Sequence, residues 1–261
     1  MRTQSNLISK PKRKKRVVLT PRDFKILRSI WKWKVLSVQE IQWIAFKDVS
    51  LFAAWKRLRF LTRAGLLERI SIGPLRKSLW QLSYRGFLSL ENHLDELKEK
   101  GYGSESIEHD YLVAQFQLGE FLKDKSVTVE FFTEQEMRRK TFENFPHWVS
   151  HSCAHRPDGL TRVKYHDEFT TYAIEIELSQ KAHARYQAVS DFYEDSRKVN
   201  EVFWLVRSRE GGRKIFEIFE SRRRTRPNIH SFVTREDFES LGWQAKFFLG
   251  LRAGETIQSL M

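Results

Sequence analysis

Three carboxylates in the second half of the chain are spaced for chemistry. Asp158 follows Pro157 and precedes Gly159 at the start of an extended segment. Glu175 and Glu177 sit one residue apart in the run Thr171-Tyr172-Ala173-Ile174-Glu175-Ile176-Glu177-Leu178. On a strand, side chains alternate, so Glu175 and Glu177 share one face while Ile174 and Ile176 share the other. Carboxylates that converge at the end of a sheet can hold a hard divalent cation, with Asp158 and Glu175 the expected metal ligands. Such an ion activates water, and a nearby lysine completes the site electrostatically. The spacing therefore predicts Asp158 and Glu175 adjacent in space. Two plainer readings compete: Pro-Asp-Gly as an ordinary turn, and alternating Glu as the solvated face of an edge strand.

A second group is cationic. Lys56, Arg59 and Arg63 recur at spacings of three and four, with Arg57 beside them, which places them together on the outer face of a helix. Long cations on one helix face suit phosphates and guanine edges in a major groove. Arg76 and Lys77 follow a Gly73-Pro74 turn, where they can reach DNA backbone or minor groove. Lys12, Arg13, Lys14, Lys15 and Arg16 lie in a basic run too charged to pack, and residues 1–19 read as a disordered arm that tracks phosphate. His147, His151 and His155 recur every fourth residue around Cys153. On a helix they would form a stripe, but the short Cys/His pairs of a zinc site are missing.

Elements that would position these groups can be read from caps and periodicity. Thr20-Pro21-Arg22-Asp23 opens a helix carrying Phe24, Leu27, Ile30 and Trp31. Ser37-Val38-Gln39-Glu40 is a capping box for a second helix. A third runs from about Ser50 to Ala64 with Leu51, Trp55, Leu58 and Leu61 as its apolar stripe, and Gly65 ends it. Two strands around Gly73-Pro74 follow. Three short helices and a hairpin are the order of a winged helix. A helix from Tyr84 leads to a charged, glycine-containing stretch, 98–106, where a domain boundary is expected. Beyond it come a helix from Ile107 to about Lys123, a strand from Val127, a short helix from Glu134 and the Asp158 and Glu175 strands. A helix over about 180–198 and the all-apolar strand Val202–Val206 follow. The fold class expected is α+β: a winged helix-turn-helix over 20–100, then a mixed α/β domain over 105–261.

Charge is segregated. Residues 1–80 hold 20 Lys/Arg against 4 Asp/Glu, a net of +16, whereas residues 81–261 hold 26 against 29, a net of −3. A confined basic region points to a polyanionic partner, and double-stranded DNA is the expected one. Aromatics at 13 % and hydrophobics at 41 % exclude a disordered chain. One cysteine fits a reducing cytoplasm, and the absence of an apolar window of about 18 residues argues against a membrane partner.

"LRFLTRAGLLERI", a hairpin and "WQLSYRGF" resemble the third helix and wing of bacterial winged-helix domains. "RPDG" followed by "YAIEIELSQK" resembles the PD-(D/E)xK nuclease core. With "IEHDYLVAQFQL" ahead of it, the chain over about 20–210 resembles the replication-relaxation family, whose members accompany replication or mobilisation of plasmids and mobile elements. That resemblance implies a nuclease-like second domain in which Asp158 matches the motif aspartate and Glu175 the motif glutamate. Glu177 stands where the motif has lysine, and Lys181 would supply a migrated ammonium. Glu108, His109 or Asp110 would supply a further acidic or proton-transfer group. Mg²⁺ or Mn²⁺ would be the cofactor of an active site. Two functions stay open: a DNA-binding protein that recruits replication, mobilisation or recombination proteins, with the second domain docking or forming a homodimer, and a metal-dependent DNA endonuclease targeted by its winged helix. Either would place it in the bacterial cytoplasm, with the nucleoid or a plasmid.

Overall fold

The computed structural model describes residues 17–47, 49–73, 77–123, 127–150, 155–223, 225–226 and 228–260. Lys12, Arg13, Lys14, Lys15, Arg16, Arg76, His151 and Cys153 therefore lie outside the described residues. No helix among the described residues is long and apolar enough to cross a membrane.

The first half begins with α1 (Pro21–Trp33), closed at its start by a capping box between Thr20 and Asp23. A short strand, β1 (Val35–Ser37), follows. Its last residue, Ser37, also caps α2 (Val38–Ala45) through a second capping box with Glu40. The sequence reading takes this stretch only as a helix start and misses the strand. Three residues carry too little alternation to register, and β1 exists because β3 lies beside it. Next come α3 (Leu51–Arg63) and the hairpin of β2 (Leu67–Ile72) and β3 (Lys77–Leu82). The small antiparallel sheet has the order β1-β3-β2. Helix α4 (Tyr84–Glu91) is shorter than the apolar pattern to Leu97 implies.

The second half is built on α5 (Ile107–Leu118), β4 (Thr128–Thr133), α6 (Glu134–Arg139), β5 (Gly159–Tyr165), β6 (Glu168–Glu177), α7 (His183–Asp195) and β7 (Glu201–Val206). It continues through α8 (Arg209–Arg222), β8 (His230–Thr234), α9 (Arg235–Leu241) and β9 (Leu249–Gly250). The six strands form one mixed sheet in the order β4-β5-β6-β7-β8-β9, parallel only at β6–β7 and β7–β8. Helices cover both faces. Ala173, Val202, Trp204 and Phe232 pack with Tyr193 of α7 and Phe219 of α8, while Ile174, Ile176, Phe203 and Val233 pack with Phe116 of α5 and Phe238 of α9.

Helix α5 belongs to both halves. Ala114 and Leu118 join the core of the α1–α4 unit, Leu112 and Phe116 join the sheet, and Tyr111 packs on Val35 and Leu79. The helix was expected to run to about Lys123 but stops at Gly119, whose φ is +32°. A Cβ there would lie 1.8 Å from Trp243, so glycine admits both the turn and the indole. The stretch where composition places a boundary is irregular but pinned. Lys98 N–H donates to Arg139 O, and the carbonyl of Gly101 accepts from both Trp31 Nε1 and Gln135 Nε2 at 3.0 Å.

Candidate nucleic-acid interface and carboxylate cluster

Strand β6 is interior to the sheet, hydrogen-bonded to β5 on one side and β7 on the other, so the solvated-edge reading of its glutamates fails. Glu175 is 7 % exposed and Glu177 6 %, both on the face covered by α7. Asp158 is not merely a turn residue. Its N–H donates to Ile174 O at 3.1 Å, and its Oδ2 accepts the Ile176 N–H at 2.7 Å, which ties it to the strand carrying both glutamates. Asp158 therefore lies against the segment of β6 that carries Glu175 and Glu177.

Each carboxylate has its own protein partners. Glu175 Oε1 accepts the Tyr193 hydroxyl at 2.5 Å and lies 2.5 Å from His155 Nε2. Burial first, then the Glu175 charge, pushes the Tyr193 phenol far up, so it stays neutral and donates. His155 Nδ1 faces Arg185 Nη2 at 3.4 Å; a guanidinium only donates, which assigns the imidazole proton to Nε2. Glu177 meets Lys181 Nζ at 3.0 Å. Burial pushes its carboxyl up, against the pull of Lys181. Burial alone would lower the Lys181 ammonium, but Glu177, Asp158 and Glu175 together raise it.

A chain of alternating charge leads from Asp158 to the first half. His109 Nε2 lies 3.4 Å from Asp158 Oδ2 and its Nδ1 3.4 Å from Asp110 Oδ1. Lys34 Nζ is 3.1 Å from Asp110 Oδ1 and 3.1 Å from Glu134 Oε2. Burial opposes protonation of His109, yet the two aspartates outweigh it and raise the imidazole to about 10. These groups line a cavity of ≈ 390 Å³ between the halves, into which Arg156 and Arg185 also project. Glu108 is not among them; it pairs with Arg235 instead.

The oxygen donors of Asp158, Glu175 and Glu177 are of the type Mg²⁺ or Mn²⁺ takes. Their geometry is that of three separately satisfied carboxylates, and among the described residues no three His, Cys, Asp or Glu side chains converge as ligands of one ion. Of the expected histidine stripe, His151 lies outside the described residues; residues 147–150 are not helical, His147 is exposed, and His155 meets Glu175. Sequence reasoning passed over Tyr193, Arg185 and Lys34, and took His155 only as part of a histidine stripe. A signal for one existed: Tyr186 and Tyr193 are seven residues apart on α7, hence on one face, and they turn to Glu177 and Glu175 respectively.

Helix α3 presents the other candidate surface. Its buried stripe is Ala54, Leu58 and Leu61; Leu51 and Trp55, expected within it, are 43 % exposed and half-buried. At 100° per residue Leu51 and Trp55 lie about 20° and 60° beyond Leu58, at the edge of the buried stripe. At 3.6 residues per turn, Phe52, Lys56, Arg59 and Arg63 fall within about 60° of arc on the opposite side, and all four are exposed. The Arg59 guanidinium lies 4.5 Å from the Trp55 ring and the Lys56 ammonium 5.2 Å from Phe52. Arg57 is not part of this face. Its Nε and Nη2 grip the Asp23 carboxylate at 2.7 and 2.5 Å, because position 57 is turned about 60° from the buried stripe, toward α1. Lys77, at the start of β3, is exposed and rests its ammonium 4.6 Å from the Tyr111 ring. No family model, curated protein or solved structure matches this chain.

Proposed function

We propose that the chain is a double-stranded-DNA-binding protein of a bacterial plasmid or mobile element, acting in its replication, mobilisation or their regulation. In this reading residues 20–100 are a winged helix, α3 enters the major groove, β2 and β3 are the wing, and the second half is a nuclease-like domain that docks replication, mobilisation or recombination proteins. The observation that carries it is the exposed stripe of α3, with Lys56, Arg59 and Arg63 side by side and none of them in an ion pair among the described residues. The +16 net charge of residues 1–80 supports it. The test is binding of a labelled duplex across a salt series. About five phosphate contacts give a log–log slope of about −4 to −5. Arg59→Ala with Arg63→Ala should remove most of the affinity while leaving the melting temperature unchanged. Binding that ignores salt, or that survives the double substitution, rejects the reading.

A second reading, a DNA endonuclease, is favoured by one observation: Lys181 brings an ammonium within 3.0 Å of Glu177, the residue that replaces the motif lysine. Asp158, Glu175 and Glu177 would then hold Mg²⁺ or Mn²⁺, which would supply activated water. Supercoiled plasmid incubated with either ion separates the two. Nicking that disappears in Asp158→Ala supports the enzyme; intact plasmid supports the binding protein.

A further inference from the structure

The head of α3 carries an apolar group that the protein does not cover. Val49 is 37 %, Leu51 43 % and Phe52 62 % exposed, directly ahead of the cations on the same helix. Scattered apolar residues on a surface are ordinary, but three within four positions form a patch. Phe52 is not loose within it. Its ring stacks on Trp55 at 5.9 Å with 18° between planes, and the Lys56 ammonium sits 5.2 Å from its centroid. The ring is therefore held by Trp55 and Lys56 while still open to solvent, in line with Lys56, Arg59 and Arg63.

We infer that Phe52 reads the 5-methyl group of a pyrimidine, thymine above all, in the major groove. The inference rests on the DNA-binding reading of α3 and adds what kind of base edge that helix selects. The first turn of a recognition helix is the part that reaches base edges, while cations further along meet phosphate. A phenyl ring offers no hydrogen bond, so it cannot read the donor–acceptor pattern of guanine or adenine. The thymine methyl is the one apolar feature of the groove, and aromatic contact suits it. Charge complementarity argues for DNA over a second copy of this chain. A twofold contact through this patch would bring Lys56, Arg59 and Arg63 of both copies together.

The experiment compares two duplexes of equal length, alternating dA-dT and alternating dA-dU, which differ only in the methyl. Fluorescence anisotropy of the full chain at fixed salt should give about fourfold tighter binding to the thymine duplex, the worth of one buried methyl. Phe52→Ala should bind the two equally. Phe52→Leu, which keeps an apolar tip, should retain part of the preference. Equal binding of both duplexes by the unaltered chain overturns the inference, as does a preference that survives Phe52→Ala. Failure to bind either duplex removes the DNA-binding reading itself. A dimer in solution that Phe52→Ala dissolves would assign the patch to a second copy and overturn the inference too.

Discussion

Replacing Arg57 with alanine should unfold the protein more readily and should not act like the loss of a DNA contact. Asp23 is fully buried at the first turn of α1, where Thr20 N–H and Oγ1 each donate to Oδ2 at 2.7 Å. Among the described residues Arg57 supplies the charge against it, in two parallel hydrogen bonds, and thereby fastens α3 to α1. Without the guanidinium, Oδ1 loses its partner in a dry site. Breaking a buried pair from one side costs about 3–5 kcal/mol, and the Arg57 end is 29 % exposed, so water softens the loss to about 2–3 kcal/mol. For a chain of this size that is about 5–10 °C of melting temperature. Circular dichroism melts of Arg57→Ala and Arg59→Ala give the contrast: a clear drop for the first and none for the second. A double-mutant cycle with Asp23→Asn should return coupling of about 2 kcal/mol. The pH dependence agrees in sign. Burial would raise the Asp23 carboxyl, but Arg57 and Thr20 outweigh it and hold the group below 3.8. Its stabilising contribution is present above pH 3.8 and vanishes as pH falls through the lower folded-state value. If Arg57→Ala melts within about 1 °C of the unaltered chain, yet loses DNA affinity as Arg59→Ala does, the assignment is wrong.

His109, raised to about 10 from 6.5, stabilises the fold in full below pH 6.5 and loses that contribution steadily as pH climbs to 10. Urea denaturation should therefore show stability falling from pH 7 to 10, with a shallower fall in His109→Gln. Tyr193→Phe removes the hydroxyl that donates to Glu175 and should cost about 1–3 kcal/mol by the same denaturation, with the far-ultraviolet spectrum preserved. Gly119→Ala sets a Cβ against Trp243 and should cost more than either, read as a melting temperature lowered by well over 5 °C for about 2–4 kcal/mol lost.

What the sequence made legible was local. Caps at Thr20 and Ser37, the glycine after α3 and the all-apolar strand Val202–Val206 announce themselves because each depends on neighbours within four residues. The placement of Glu175 and Glu177 on one face followed from strand geometry alone. Their burial did not, because alternation predicts a dry face and a wet face, and β6 has both faces covered by helices. Arg57 shows the same limit. Its type and spacing are those of an outward cation, and only the approach of Asp23 from α1, 34 positions earlier, gives it another task. His155 and Tyr193 reach Glu175 across 20 and 18 residues, and no periodicity within one element reports such a meeting.

How the halves are joined decides what the two candidate sites can do together. Lys34 ends α1 with φ at +63°, a conformation that costs a non-glycine residue about 1–3 kcal/mol. Its ammonium lies between Asp110 and Glu134, at the base of the cavity that Asp158 and His109 also line. The residue before it, Trp33, donates through Nε1 to Gln117, which in turn donates to Leu160 O beside Asp158. Thr133 Oγ1 donates to Lys32 O, and Lys32 reaches back to Phe131 O and Glu136. Three consecutive residues at the end of α1 are thus fixed to α5, α6 and β4, the elements that frame the carboxylates. Because Arg57 holds α3 to α1, the exposed stripe of α3 inherits that orientation. A flexible tether would let a DNA-bound first half sample many placements of the second. This junction instead gives the exposed stripe of α3 one bearing relative to Asp158, Glu175 and Glu177. An inward-facing Lys34 under strain is the cost of that fixed bearing, offset by the two carboxylates it joins.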